Sequence, residues 1–136
     1  MDTKLAEQAL TKFWADTLKL TIDTDIFRGG IPSTISEGVA IIMGAEKGAD
    51  NYPDIKKYNV QIIGKYDDRD KAVQLLEDIS NALPCYGETV TLSAEDKEDV
   101  VVTFRGMIKR GSGGTYNQTD DGKKKTYASF NLVAAF

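Results

Sequence analysis

The chain has 136 residues, 41% of them hydrophobic and 28% charged, with 17 basic residues against 21 acidic ones for a net charge of −4. That length fits one domain, residues 1–136. The apolar content excludes a disordered chain, and the acidic balance argues against a protein whose main work is gripping nucleic-acid phosphate.

Histidine is absent and cysteine occurs once, at Cys85. The commonest general base and metal ligand is therefore missing, and neither an internal disulfide nor a cysteine-built metal site can form. No apolar run approaches the ~20 residues of a membrane-crossing helix. The start, Met1-Asp2-Thr3-Lys4, lacks the profile of a secretory signal, so a soluble protein made inside the cell is expected.

The first segment, Leu5 to Leu20, reads as an amphipathic helix. Leu5, Ala6, Ala9, Leu10, Phe13, Trp14 and Leu18 recur at three- and four-residue spacing, and Lys4, Glu7, Gln8, Lys12, Asp16 and Lys19 fill the other side. Asp2 or Thr3 can cap it. Ile22 to Phe27 leads into the turn Arg28-Gly29-Gly30-Ile31-Pro32. Gly38 to Met43 is a β-branched apolar run, as a strand buried on both faces would be. Gly44 to Lys57, polar and broken by Gly48 and Pro53, reads as a loop.

The alternation in Tyr58 to Gly64 predicts a strand, and Asp67 or Asp68 can cap a helix from Arg69 to about Leu83. Its stripe is Ala72, Leu75, Leu76, Ile79 and Leu83, and Pro84 stops it. The last third reads as β: Thr89 to Leu92, a charged turn at Glu95 to Asp99, and Val100 to Ile108 with Val100, Val102, Phe104 and Ile108 on one face. A long polar loop, Lys109 to Lys125, follows. Thr126 to Phe136 then closes the chain, with Ala128, Phe130, Leu132, Ala134 and Phe136 on one face. The expected class is α+β: an antiparallel or mixed β-sheet packed against two α-helices, with a long C-terminal β-hairpin.

Candidate chemistry is sparse. Gly111-Ser112-Gly113-Gly114 and Gly44 to Gly48 lack the following helix that a phosphate-cradling loop needs; the first reads as a hairpin tip. The acid pairs Asp67/Asp68, Asp120/Asp121 and Glu95/Asp96 with Glu98/Asp99 could act as acid and base or collect a cation, but each falls in a predicted turn beside lysine or arginine. Cys85, without a histidine partner, reads as a small buried residue. No catalytic, cofactor-binding or metal-binding residue is assigned, and the chain is not expected to be an enzyme.

Lys109, Arg110 and Lys123-Lys124-Lys125 put five cations near the hairpin base. They read as a solubilising edge, or alternatively as a patch for DNA or an acidic partner surface. Strands of about ten residues span on the order of 33 Å, against a radius of gyration near ~14 Å for this length. The hairpin must therefore cross the domain and carry its loop to an edge, where it could reach a neighbouring subunit.

The order of elements resembles the small tail terminator and minor capsid proteins of tailed bacteriophages. A helix with Phe13-Trp14 precedes the strand Tyr58-Asn59-Val60-Gln61-Ile62-Ile63-Gly64. The acidic turn and helix start Asp68-Arg69-Asp70-Lys71-Ala72 lead to Asn81-Ala82-Leu83, and a long hairpin closes the chain. The resemblance implies a virion protein of the tail or neck, assembled in the bacterial cytoplasm. It implies no enzyme activity and no cofactor. Its partners would be copies of itself in a ring, commonly hexameric, the tail tube protein below and the head connector or stopper above. DNA would pass the channel without specific binding, and no membrane would be involved. The interface residues expected on this reading are Trp14, Gly111, Ser112, Gly113, Gly114, Tyr116, Asn117, Lys123, Lys124 and Lys125, with the sheet edge and the segment from Ala45 to Asp54. The alternatives are a small nucleic-acid-binding module using Lys109, Arg110 and Lys123 to Lys125, or another neck or minor tail component.

Overall fold

The computed structural model describes residues 3–49, 52–94, 97–111 and 113–136. The chain is an α+β protein with the element order α1 (Thr3–Leu18), β1 (Ile26–Arg28), β2 (Gly38–Ala49), β3 (Tyr52–Tyr66), α2 (Arg69–Ala82), β4 (Thr89–Ala94), β5 (Lys97–Thr103), β6 (Gly106–Lys109), β7 (Gly114–Asp120) and β8 (Lys123–Ala135). The main sheet runs β1-β2-β3-β8-β6, with β7 also paired to β8, and β4 and β5 form a separate ribbon. Among the described strands only β1 and β2 run parallel, so the sheet is mixed.

Alternation on the two central strands decides which face is covered. Tyr58, Val60 and Ile62 of β3 and Ala128, Phe130, Leu132 and Ala134 of β8 are all buried. In register, Ile62 faces Phe130 and Val60 faces Leu132. These side chains meet Ala6, Ala9, Leu10 and Trp14 of α1 and Ala72, Leu75 and Ile79 of α2 in one core. Gly64 sits where a side chain would strike α2, since an added Cβ would lie 2.4 Å from the Leu75 side chain. Asp68 caps α2 by accepting from the Asp70 amide at 2.9 Å. Pro84 follows its end through a cis peptide bond.

Three sequence expectations are corrected. Gly44 to Lys57, expected as a loop, is strand in its described residues, 44–49 and 52–57. β2 and β3 continue pairing through Glu46–Tyr58, Lys47–Lys57 and Gly48–Lys56, with register shifts on the way. Backbone hydrogen bonds hold such a ribbon without the apolar alternation that marks a strand against a core.

The stretch from Lys109 to Lys125 is not a loop either. β6 and β7 lie one after the other along the same edge of β8, interrupted around Arg110 to Gly113. Asp121 and Gly122 make the two-residue turn at φ 51° and 77°. Both values lie in the left-handed region that Asp-Gly hairpin turns use. The hairpin tip is therefore Asp121-Gly122, while Gly114 opens β7 and Gly111 and Gly113 precede it.

Val100 to Ile108, thirdly, is two strands, because the chain leaves the ribbon and joins the main sheet near Arg105. Val102, Phe104 and Met107 are buried, whereas Val100 and Ile108 are exposed.

Candidate interaction surface

The far end of the sheet is fixed by ion pairs. The Lys65 ammonium, only 2% exposed, donates to Asp120 at 2.7 Å. Lys125, also buried, donates to Asp67 and to the Ser36 hydroxyl. Glu37 accepts from Lys71 at 3.0 Å and from the Asp67 amide. The Lys125 hydrogen bond holds the Asp67 carboxyl below its ordinary pKa. The bond from Lys71 to Glu37 raises the lysine in turn. Burial, with Glu37 close by, pushes the Tyr66 phenol up to about 12.

The acid pairs thus have structural employment. Asp68 caps a helix, Asp67 and Asp120 neutralise buried lysines, and Asp121 forms a turn. Glu98 and Asp99 are exposed on β5, while Glu95 and Asp96 lie outside the described residues. Among the described residues no group of three or more Cys, Asp or Glu side chains could hold a metal ion. Cys85 is half-buried, and burial raises its thiol, which leaves it protonated and weakly nucleophilic.

The residues expected at an interface are dispersed. Trp14 is fully buried in the core, so it offers no surface on the isolated chain. Gly113 lies under Phe130 and Leu76. Gly111 and Gly114 are exposed, and Ser112 lies outside the described residues. Tyr116 stacks on Tyr127 with ring centroids 5.3 Å apart. The Asn117 carbonyl oxygen accepts from the Thr126 hydroxyl. Lys123 and Lys124 are exposed beside the hairpin turn, but Lys125 is spent on Asp67.

Nor do the five cations form one patch. Lys109 reaches Ser80 of α2 on the helix side. Arg110 shares a shallow depression of about 160 Å³ with Asn59, Gln61 and Asn131.

That depression belongs to the uncovered face of the sheet, which the sequence reading did not single out. Alternation opposite the core places Lys57, Asn59, Gln61 and Ile63 of β3 there, with Tyr127, Ser129, Asn131 and Val133 of β8 and Ile108 of β6. Gln61 donates to Ser129 across the strands at 2.9 Å. At one end, Ile31 and Ser33 share a cavity of about 230 Å³ with Ile42, Ile63, Tyr116 and Tyr127. The signal was available: Lys57, Asn59 and Gln61 alternate with the buried Tyr58, Val60 and Ile62.

Beyond the sheet's other end the β2–β3 ribbon runs on as an arm. Its last pairing with β8 is at Lys56, whose backbone exchanges hydrogen bonds with Phe136. Among the described residues no strand flanks β2 beyond Ile41 or β3 before Lys56. Such edges are templates for pairing with another chain.

No protein-family model matches the chain. No curated protein matches it either.

Proposed function

We propose that the chain is a structural assembly subunit that associates with copies of itself into a closed ring, acting as a tail terminator at the neck of a tailed bacteriophage. The carrying observation is the β2–β3 arm, whose paired backbone continues past the end of β8 with both outer edges open among the described residues. Such an arm positions backbone donors and acceptors for a neighbour while the core holds its base still. The uncovered sheet face gives a second contact surface on the same subunit. Closed cyclic symmetry then satisfies every subunit alike and leaves no open ends.

The mechanism is geometric: the ring caps the finished tube and presents its other side to the head connector. The test adds the purified chain to growing tail tubes and views the tubes by electron microscopy. Density capping one end, with tube growth stopped, is the expected result. Tubes that lengthen unchanged with no added density overturn the reading.

A nucleic-acid-binding module is the second reading, favoured by exposed Lys57 and Arg110 on the same face as the stacked tyrosines. Salt-dependent retention on a DNA column would support it, and its absence would remove it.

A further inference from the structure

The acidity of this chain is concentrated. Residues 88–99 contain Glu88, Glu95, Asp96, Glu98 and Asp99 against the single cation Lys97, a net charge of −4 that equals that of the whole chain. Everything else sums to zero. Its described residues include all of β4 and the start of β5. Its described acids Glu88, Glu98 and Asp99 are exposed and make no ion pair among the described residues. The same ribbon exposes Val100 at 44% and Val101 at 64%.

The uncovered sheet face has the opposite character. Lys57 and Arg110 are exposed on it without an ion pair among the described residues. The carboxylate that β7 places there, Asp120, is engaged by Lys65. Between the cations and beyond them lie Ile108 and Tyr116, 47% and 43% exposed. The two surfaces therefore carry exposed charge of opposite sign, with single exposed apolar side chains among it.

They cannot satisfy each other within one subunit. The ribbon packs on α1, on the helix side of the sheet, and the cationic face is on the other side. We propose that the uncovered sheet face of one copy receives the β4–β5 ribbon of the next, a head-to-tail contact between two different patches. Contacts of this kind close into rings when the rotation allows. The inference rests on the self-association proposed above and names the surfaces that perform it. A nucleic acid on this face is disfavoured: its three free cations, Lys57, Arg110 and Lys123, release few counterions.

The experiment uses two variants of the full chain, all substitutions at exposed positions: a face variant, Lys57→Ser with Arg110→Ser, and a ribbon variant, Glu98→Ser with Asp99→Ser and Val101→Ser. Circular dichroism checks that both fold. Sedimentation velocity is run under the conditions in which the native chain assembles, alone or with tail-tube protein. Each variant alone is expected to lose assembly, with association weakened at least about tenfold. An equimolar mixture is expected to give a one-to-one dimer and nothing larger, because only one intact face–ribbon contact can form per pair.

Variants that assemble like the native chain overturn the assignment of surfaces and leave the ring reading standing. A mixture that stays monomeric overturns the head-to-tail pairing. A native chain that never assembles, alone or on the tube, overturns both. Retention of the native chain on single-stranded DNA, abolished in the face variant, would make the face a nucleic-acid site instead.

Discussion

Gly64 and Tyr58 lie on the same strand and show opposite kinds of constraint. An added methyl at Gly64 would sit 2.4 Å from Leu75 and 2.8 Å from the Tyr66 ring. Gly64→Ala is therefore expected to destabilise the chain by about 1–3 kcal/mol, as overpacking does, read as a lower urea midpoint. The Tyr58 hydroxyl is buried with no hydrogen-bond partner among the described residues. Removing it relieves an unpaid desolvation, so Tyr58→Phe is expected to be neutral or stabilising by up to about 1 kcal/mol in the same measurement. Asp67 supplies a pH dependence. Its folded pKa is depressed, first by the Lys125 hydrogen bond, so its stabilising contribution is present above the ordinary carboxylate value and is lost as pH falls through the folded one. Urea midpoints of the native chain and Asp67→Asn should differ at neutral pH, with the native chain higher. The gap should close as the solution is acidified to about pH 2. A constant gap would show that the pair with Lys125 carries no proton linkage. That Asp67 or Asp68 caps α2 was legible from residue type and position alone, whereas the choice of Asp68 and the partners of Asp67 and Asp120 were not. Each pairs with a lysine more than fifty residues away in the chain, a distance that only the fold closes.

The elements that could be read from sequence were those with one side in the core. Both helices carry apolar stripes at helical spacing, and the alternation from Ala128 to Phe136 matches the burial of β8. The elements that were misread have no such marking. β7, with the sequence Gly-Thr-Tyr-Asn-Gln-Thr-Asp, is an edge strand with no buried residue, so its polarity imitates a loop. The Asp121-Gly122 dipeptide was its visible signature. The ribbon from Gly44 to Lys57 was hidden for a related reason, since its pairing lies in the backbone. If it is an arm for neighbours, the body should not need it. Replacing residues 49–55 by an Asn-Gly turn, which joins the paired Gly48 and Lys56, is expected to leave the circular dichroism spectrum unchanged and the melting temperature within a few degrees. The same change should abolish assembly on the tail tube, measured by co-sedimentation. A truncated chain that fails to fold would place these residues in the folding core instead.

At the scale of the molecule, one layer of sheet carries both helices on one face and leaves the other uncovered except at the end where Gly30, Ile31 and Ser33 lie against it. The side chains for a bimolecular contact are therefore present, but split between the uncovered face, the arm and the acidic ribbon. The fold class was legible because helices and strands of this spacing must cover one another. The surfaces were not, because exposed residues carry no periodic signal of their own and their grouping depends on which strands become neighbours. The net charge of −4 exemplifies this: spread evenly it would only favour solubility, but the acids Glu88, Glu98 and Asp99 are exposed together on the helix side, away from Lys57 and Arg110 on the uncovered face. The most direct test of the ring is the solution mass by multi-angle light scattering, with the chain alone and mixed with purified tail-tube protein. A single closed multiple of the 14.9 kDa subunit, formed alone or on the tube and unchanged by further protein, is the predicted result. A strict monomer in both conditions, or masses that grow without limit, would contradict it.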